Sequence, residues 1–293
     1  MRVGVIDVGS NTIRLLVADV NARDFDVVAE SRVWARLGAD VAKTGEISAA
    51  RLDTADIAVS EFVAEAQRLG CERLEVLVAS PGRQATNAGE LVRTLERGSG
   101  VPVCVLGRED EARLGFHGAV AGLGTADGLV AVCDVGGGST QLAVGLPAAG
   151  PSWLRSVDVG SLRLTTEALV GDPPSKKSIA RARNVIGERF EGLVVPVPAQ
   201  ALAIGGSARA VRRLVPRAFG ADELLEAASE LRTSPSAEIA STLGVPRARA
   251  HTLLAGVLIL AEVQKRFTVP FRVVGSGLRE GAVVELAARR QAA

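Results

Sequence analysis

The chain has 293 residues, more than a single hydrophobic core usually holds, so its length predicts two domains. Apolar residues make up 47% and charged residues 23%, which is typical of a packed globular protein and excludes a disordered or fibrous one. The formal net charge of +1 provides no global field for nucleic acid or an anionic membrane, so any anion site has to be local. Aromatic residues amount to 3% and Tyr is absent, which argues against a base-stacking platform for single-stranded nucleic acid.

The cysteines and the apolar runs predict a cytoplasmic protein with no membrane partner. Cys71, Cys104 and Cys133 are odd in number and lack CxxC spacing, which favours small buried thiols in a reducing compartment. Asp7 interrupts the first apolar run, which argues against a signal peptide. The longest apolar stretch, residues 252–261, is too short to span a bilayer and predicts a buried helix.

The first half of the chain is predicted to begin with three strands joined by short turns and to continue with alternating helices and strands. Ser48 is a plausible helix N-cap, and Gly70 follows the same helix as a stop signal. The predicted strands cover residues 3–8, 13–20, 25–36, 74–79 and 101–106, and the predicted helices cover residues 48–69, 87–99 and 109–120.

The second half is predicted to repeat this plan and then to add helices. The predicted strands cover residues 128–135, 140–146, 153–160, 201–206 and 271–277. The predicted helices cover residues 161–170, 176–192, 207–215, 221–232, 235–243, 248–267 and the end of the chain. Both halves open with Asp-x-Gly, so we interpret the pattern as a duplication into domains 1–121 and 122–293, with the last helix returning to the first domain.

Two glycine turns carry the clearest chemical signal. "DVGSNT" at 7–12 and "DVGGGST" at 134–140 each follow an apolar run that ends in Asp. Such turns present successive main-chain N–H groups to phosphate oxygens, and an Asp beside them suits Mg²⁺ or its bound water. One such turn usually only reverses the chain, whereas two at domain scale predict a phosphate held between facing loops.

Two further glycine turns have a similar character. "AIGGSARAV" at 203–211 and "VVGSGLREG" at 273–281 each combine a strand with a helix start, which offers a helix N-terminus to an anion. Arg209 and Arg279 follow these turns closely. A solvated helix face is the alternative interpretation of each arginine.

These motifs together resemble the Ppx/GppA phosphatase family, which comprises exopolyphosphatases and guanosine pentaphosphate phosphohydrolases. The resemblance extends from Val5 to about Glu285 and includes "SPGRQATNAGEL" (80–91) and "GREDEARLGFHGAV" (107–120). It implies an α/β fold of two RNase H-like (actin-like ATPase) domains with an interdomain cleft. It also implies a homodimer and the short, two-domain form of the family.

The resemblance assigns roles to individual residues. Glu111 in "EDEAR" corresponds to the catalytic carboxylate that activates water, with Glu109 as the next candidate, and Arg83 in "GRQATN" corresponds to the active-site arginine. Asp7 and Asp134 correspond to carboxylates associated with Mg²⁺ or another divalent cation. The implied phosphate-binding residues are Ser10, Asn11, Thr12, Gly136, Gly137, Gly138, Ser139, Thr140, Gly206, Ser207 and Arg209.

Two positions depart from the family pattern. Gln141 stands where the family often has a Glu that is implicated in divalent-ion binding, and a neutral amide is a weaker ligand. Residues 205–209 read "GGSAR" where the family usually has a G-T-x-G-T pattern, so both threonine hydroxyls are missing. His117 and His251 have no partners at ligand spacing, and we interpret both as structural.

The favoured function is Mg²⁺-dependent release of the terminal phosphate of inorganic polyphosphate. The part of the polyphosphate beyond its terminal phosphate is predicted to lie along local cations, namely Arg209, Arg212, Arg213, Lys176 and Lys177. Hydrolysis of pppGpp to ppGpp is the alternative within the same family. An ATP-dependent small-molecule kinase of the superfamily, or an actin-type filament protein, is the alternative of another class.

Overall fold

Two β-sheets organise the chain in a computed structural model, which describes residues 1–21, 24–121, 123 and 127–289. The first sheet has five strands in the order β3-β2-β1-β4-β5. Its strands are β1 (Arg2–Val8), β2 (Ile13–Val20), β3 (Phe25–Val33), β4 (Arg73–Val78) and β5 (Val103–Val105). Strands β1, β2 and β3 pair antiparallel, whereas β4 pairs parallel with both β1 and β5.

The second sheet has six strands in the order β10-β11-β9-β6-β7-β8. Its strands are β6 (Val130–Val135), β7 (Thr140–Leu146), β8 (Gly150–Val157), β9 (Gln200–Ile204), β10 (Ala218–Phe219) and β11 (Phe271–Val273). The run β8-β7-β6-β9-β11 repeats the order and directions of the first sheet, and β10 extends it by an antiparallel pair. The duplication predicted from the sequence is confirmed at the level of sheet topology.

Helices cover both sheets and connect their strands. In the first half they are α1 (Leu37–Thr44), α2 (Ala49–Arg68), α3 (Pro81–Gln84), α4 (Ala88–Ser99) and α5 (Arg108–Val120). In the second half they are α6 (Ser161–Ala168), α7 (Lys176–Arg189), α8 (Gly205–Val211), α9 (Ala221–Leu231), α10 (Ser236–Leu243), α11 (Arg247–Ala250), α12 (Leu253–Phe267) and α13 (Leu278–Ala288).

Helix α5 lies between the two sheets because it is apolar on two sides. Leu114 packs into the cluster of the first sheet, while Ala112 and Phe116 pack against buried residues of the second sheet. Helix α13 lies beside α5 and contacts strands β1 and β2, so the closing helix packs against the first sheet. This arrangement places the N-terminus of α5, which carries Glu111, at the junction of the two sheets.

Several predicted elements need correction. Strand β3 ends at Val33 and is followed by α1, a helix that the sequence did not predict. The predicted helix over 248–267 is divided into α11 and α12, and the two-residue β10 was not predicted. Cys104 is exposed instead of buried, because β5 is an edge strand with a single partner.

The domain boundary at residues 121 and 122 stays a prediction, since residue 122 and residues 124–126 lie outside the described part of the chain. Among the described helices, none combines the length and the apolar character that crossing a bilayer requires.

Candidate active site

One cavity of about 330 Å³ lies where the two sheets face each other. Its wall includes the turn after β1, the turn after β6, the N-terminus of α5 and the glycine pair that begins α8. Gly277 and the first turn of α13, which includes Glu280, complete the wall. Four sequence-distant glycine turns therefore meet around one space.

The two turns that the sequence singled out have the same hydrogen bond. The N–H of Gly9 donates to the carbonyl of Thr12 at 3.0 Å, and the N–H of Gly136 donates to the carbonyl of Ser139 at 3.0 Å. Each turn is also bound by the helix that follows the third strand of its sheet, α1 for the first turn and α6 for the second. The duplication therefore extends to the local geometry of the site.

The two turns are in direct contact because glycine leaves room for their approach. A Cβ atom at Gly138 would overlap the hydroxyl of Ser10, and a Cβ atom at Gly137 would lie 3.2 Å from the main-chain nitrogen of Asn11. The hydroxyl of Ser10 is in turn hydrogen-bonded to the hydroxyl of Ser80 at 2.6 Å. A larger residue in the second turn would separate the two sheets at this point.

Four carboxylates line the cavity, those of Asp7, Glu111, Asp134 and Glu280, and their proximity adds to the cost of ionising them. Burial raises the pKa of Glu111 to about 7, against the lowering effect of Arg83 and with raising contributions from Asp134 and Asp7. Burial raises the pKa of Asp134 to about 6, and Asp7 adds to that rise. Burial also raises the pKa of Asp7 despite the nearby cations Arg14 and Arg279.

Arg83 binds Glu111 directly. Its Nη2 donates to Glu111 Oε2 at 2.5 Å, and its Nη1 donates to the carbonyl of Leu106 at 2.7 Å. The two side chains are only 12% and 11% exposed, so the ion pair is largely shielded from solvent. Both terminal nitrogens of Arg83 are thus used within the chain, and the guanidinium fixes the orientation of the carboxylate.

Six arginines from both halves of the chain make the cavity wall cationic, namely Arg14, Arg32, Arg209, Arg213, Arg249 and Arg279. Burial and the nearby Arg279, Arg209 and Arg32 lower the pKa of Arg14 to about 9. Burial and the nearby Arg209 and Arg32 lower the pKa of Arg249 to about 10. Such mutual repulsion is relieved when a polyanion enters the cavity.

The donor set of the cavity fits a hydrated divalent cation. Neither Asp7 nor Asp134 makes a hydrogen bond or ion pair within the described residues, and the buried side-chain amide of Asn11 has no partner on either atom. In the described ranges no three His, Cys, Asp or Glu side chains form a protein-built metal site. Two free carboxylates match Mg²⁺, which keeps several waters and takes few protein ligands.

A profile of the Ppx/GppA phosphatase family matches residues 16–290 of the chain. The chain belongs to the Ppx/GppA phosphatase family. It is accordingly an enzyme of the hydrolase class.

Relatives and solved structures agree with this family. Exopolyphosphatase 1 of Mycobacterium leprae is 28% identical over 305 residues, which cover 97% of this chain and 89% of that protein. The crystal structure of the Aquifex aeolicus Ppx/GppA family member has a TM-score of 0.82 at 24% identity and covers 99% of this chain and 98% of its own. An exopolyphosphatase structure from Cytophaga hutchinsonii has a TM-score of 0.85 at 21% identity. The match covers 99% of this chain and 98% of that protein. These structures confirm the fold of two RNase H-like (actin-like ATPase) domains.

Most of the residues predicted for the site line the cavity of this Ppx/GppA enzyme. They are Asp7, Ser10, Asn11, Thr12, Glu111, Asp134, Gly136, Gly137, Ser139, Gly206 and Arg209. Arg83, Gly138, Thr140 and Ser207 do not line it. The Thr140 hydroxyl donates to the carbonyl of Val159, and the Ser207 hydroxyl donates to the hydroxyl of Ser161.

The cations predicted to follow the substrate chain divide into two groups. Arg209 and Arg213 line the cavity. Arg212 does not, because its Nη1 donates to the carbonyl of Val215, and Lys176 and Lys177 are exposed at the start of α7 outside the cavity. The sequence pattern therefore placed too many cations near the site.

Several wall residues were not predicted, among them three arginine or tryptophan side chains that the tertiary fold brings together with Arg14. Arg14 and Arg32 lie side by side across β2 and β3, and Arg14 lies opposite Asp7 on β1, so one row of the sheet faces the cavity. The hairpin register around the first turn would have indicated Arg14. Trp34 and Arg249, whose guanidinium lies 5.4 Å from the indole centroid, meet only through the tertiary fold and have no sequence signal.

Proposed function

We propose that this enzyme hydrolyses the terminal phosphoanhydride bond of inorganic polyphosphate. The name of the mycobacterial relative, an exopolyphosphatase, supports this substrate class. The observation that carries the proposal is the position of Glu111, a nearly buried carboxylate with a pKa raised to about 7, on the wall of a cavity bounded by four glycine turns and six arginines. A base with a pKa near neutrality is suited to accept a proton from water.

The reaction follows from this arrangement. A water molecule held by Glu111 attacks the terminal phosphorus, and its proton passes to the carboxylate. The bond between that phosphorus and the bridging oxygen breaks, and the bridging oxygen leaves with the shortened chain. The products are orthophosphate and a polyphosphate one unit shorter. The protein contributes mainly orientation and charge stabilisation, as is usual in phosphoryl transfer to water.

The remaining site residues have supporting parts in the proposal. Main-chain N–H groups of the turns at 9–12 and 136–139 bind the terminal phosphate. Arg83 orients Glu111, because both of its terminal nitrogens are engaged by Glu111 and Leu106. Asp7 and Asp134 hold Mg²⁺ or another divalent cation, which supplies neutralisation of phosphate charge when it is bound.

The wall composition favours polyphosphate over pppGpp. Arg14, Arg32, Arg209 and Arg249 offer several cations to successive phosphates. Within the described wall the one aromatic ring is that of Trp34, and the Arg249 guanidinium already lies over it. The face of that ring under Arg249 is therefore not open to a guanine base. We place the reaction in the cytoplasm, and the homodimer implied by the family stays a prediction for size-exclusion chromatography.

The proposal is tested by phosphate release from long polyphosphate, tripolyphosphate, pppGpp and ATP in the presence of Mg²⁺. Polyphosphate is expected to be the best substrate, and Glu111→Gln is expected to reduce kcat by about 10²–10⁴-fold while substrate binding persists. Glu109→Gln is the matched control, because Glu109 is exposed on the same helix turn and outside the cavity. Release from ATP alone, transfer to an acceptor, or full activity of Glu111→Gln would overturn the proposal.

A further inference from the structure

Asp158 lies directly after β8, on the segment that supports the second glycine turn. The N–H of Ser161 donates to the carbonyl of Gly136 at 2.8 Å, and the N–H of Leu162 donates to that of Gly137 at 2.9 Å. The segment that begins at Asp158 is therefore hydrogen-bonded to the turn at 136–139.

The carboxylate of Asp158 accepts three hydrogen bonds from the first half of the chain. Arg108 donates from Nη1 to Oδ1 at 2.9 Å and from Nη2 to Oδ2 at 2.6 Å, which is a bidentate pair. Gln84 Nε2 donates to Oδ1 at 2.9 Å and also to the carbonyl of Gly138 at 3.3 Å. Asp158 thus joins the second glycine turn to two separate elements of the first half.

Those two elements carry the proposed catalytic pair. Gln84 follows Arg83 on the single turn of α3, and Arg108 begins α5, three residues before Glu111. Arg83 and Glu111 are themselves joined by their ion pair. A shift of α3 or of the α5 N-terminus would therefore move the base relative to the phosphate that the second turn holds.

We propose that Asp158 is a positioning residue that holds the Arg83–Glu111 pair in register with the second glycine turn across the two sheets. The inference rests on the proposed roles of Glu111 and Arg83. It adds a residue whose own side chain does not line the cavity.

The charge state of Asp158 agrees with this role. Burial alone would raise its pKa, but the hydrogen bonds from Arg108 and Gln84 outweigh burial and lower the pKa below its ordinary value. The carboxylate is therefore ionised at neutral pH and keeps its full capacity as an acceptor.

The energetics separate positioning from stability. The side chain of Arg108 is 45% exposed and that of Asp158 is 29% exposed, so solvent and salt screen their attraction. Such a pair adds little to the free energy of unfolding. A displacement of the reacting groups by about 1 Å, in contrast, can cost on the order of 10²-fold in rate. Loss of Asp158 is therefore expected to lower kcat far more than stability.

The test compares Asp158→Asn with Asp19→Asn. Asp19 accepts a comparable bidentate pair from Arg2, at 2.9 and 2.8 Å, but joins two neighbouring strands away from the cavity. With polyphosphate and Mg²⁺, Asp158→Asn is expected to lower kcat about ten-fold or more with KM nearly unchanged. Asp19→Asn is expected to change neither constant. An equal effect of the two substitutions, or a change in KM alone, would overturn the inference.

A double-mutant cycle and hydrogen exchange complete the test. Because Arg108 and Asp158 act through each other, Arg108→Gln in the Asp158→Asn background is expected to lower kcat little further. Amides of residues 81–86 and 108–112 are expected to exchange several-fold faster in Asp158→Asn and unchanged in Asp19→Asn. Additive effects on kcat, or unchanged exchange in Asp158→Asn, would contradict positioning.

Hydrogen exchange does not depend on turnover, so it separates the two proposals. If the parent enzyme releases no phosphate from polyphosphate, the proposed function fails, while the exchange at 81–86 and 108–112 still decides whether Asp158 holds those elements. If the parent enzyme is active and requires Glu111 but Asp158→Asn keeps its full kcat, the positioning inference fails alone.

Discussion

Glu111 is a buried carboxylate whose ionisation is unfavourable in the folded chain. Burial is the main cause, and the neighbouring Asp134 and Asp7 add repulsion that the Arg83 ion pair only partly offsets. A carboxylate with a raised pKa is a stronger base and accepts a proton from water more readily. Its ionised form, however, destabilises the folded chain when no cation or substrate is bound. The residue that we propose for catalysis is therefore also a local weakness of the fold.

The pH dependence of stability follows from that raised pKa. Between the ordinary value of about 4.5 and the folded value of about 7, the folded chain binds more protons at Glu111 than the unfolded chain, so stability falls as pH rises through this window. At pH 8 the free energy of unfolding of Glu111→Gln is expected to be higher than that of the parent by up to a few kcal/mol. Near pH 4 the two values are expected to be equal. Urea unfolding in EDTA across this range measures the difference, and a pH-independent offset would contradict it.

Close contact between α5 and α13 depends on glycine at both helices. A Cβ atom at Gly118 would overlap the carbonyl of Gly277, and one at Gly281 would overlap the carbonyl of Leu114. The clash would be with backbone, which cannot move without shifting a helix. Because α5 carries Glu111 at its N-terminus, this packing connects the first sheet to the candidate site.

Gly281→Ala is expected to destabilise the protein by about 1–3 kcal/mol or more, because overpacking forces the helices apart. Gly187→Ala is the matched control, since Gly187 is exposed on α7 and an added Cβ would meet nothing within 4 Å. That control is expected to raise stability by about 0.4–1 kcal/mol through helix propensity and unfolded-state entropy. Chemical denaturation of both variants measures the contrast, and similar values for the two would refute the packing argument.

The elements were predicted well where a repeating pattern or a glycine stop marks them. Helix α2 was predicted within one residue at each end, because apolar positions recur along it and Gly70 follows it. Helix α1 is only eight residues long and follows a strand without a Gly or Pro between them, so no local signal separates it. The interruption between α11 and α12 has no Gly or Pro either, and it depends on packing that the sequence does not display.

At the scale of the whole molecule, the cavity gathers like charges that repel each other until an anion binds. Arg14 and Arg32 come from the first sheet, and Arg209 and Arg249 come from helices of the second. Burial and the repulsion from neighbouring arginines lower the pKa of Arg14 and of Arg249. A polyanionic ligand in the cavity would therefore offset repulsion between arginines from both halves of the duplicated chain.

Tripolyphosphate without metal is expected to stabilise the folded protein by mass action, by about 2.7 kcal/mol at one hundred times its Kd, and so to raise Tm. High salt is expected to reduce the shift because the attraction is electrostatic. Arg249→Gln is expected to reduce it as well, whereas Arg289→Gln, a surface arginine outside the cavity, is expected to leave it unchanged. Thermal unfolding with and without tripolyphosphate measures this, and an equal shift in the two variants would refute the cavity as the binding place.

The local sequence was sufficient for the glycine turns, for Asp7 and Asp134 beside them, and for the helix that begins near Glu111. A turn needs only residues that tolerate its backbone, and a helix needs only its own spacing and caps, so these features are written within a few consecutive residues. The repeated order of strands could also be predicted from the sequence, because both halves carry the same alternation of strands and helices.

The tertiary structure alone decided which side chains meet. Arg83 binds Glu111 instead of facing the cavity, Asp158 reaches Arg108 across the two sheets, and Arg249 lies over Trp34. Each contact joins residues far apart in the chain, and the direction of each side chain depends on how α5 is packed between the sheets. Local patterns carry no information on that packing, because it is set by the summed burial of apolar faces from both halves of the chain.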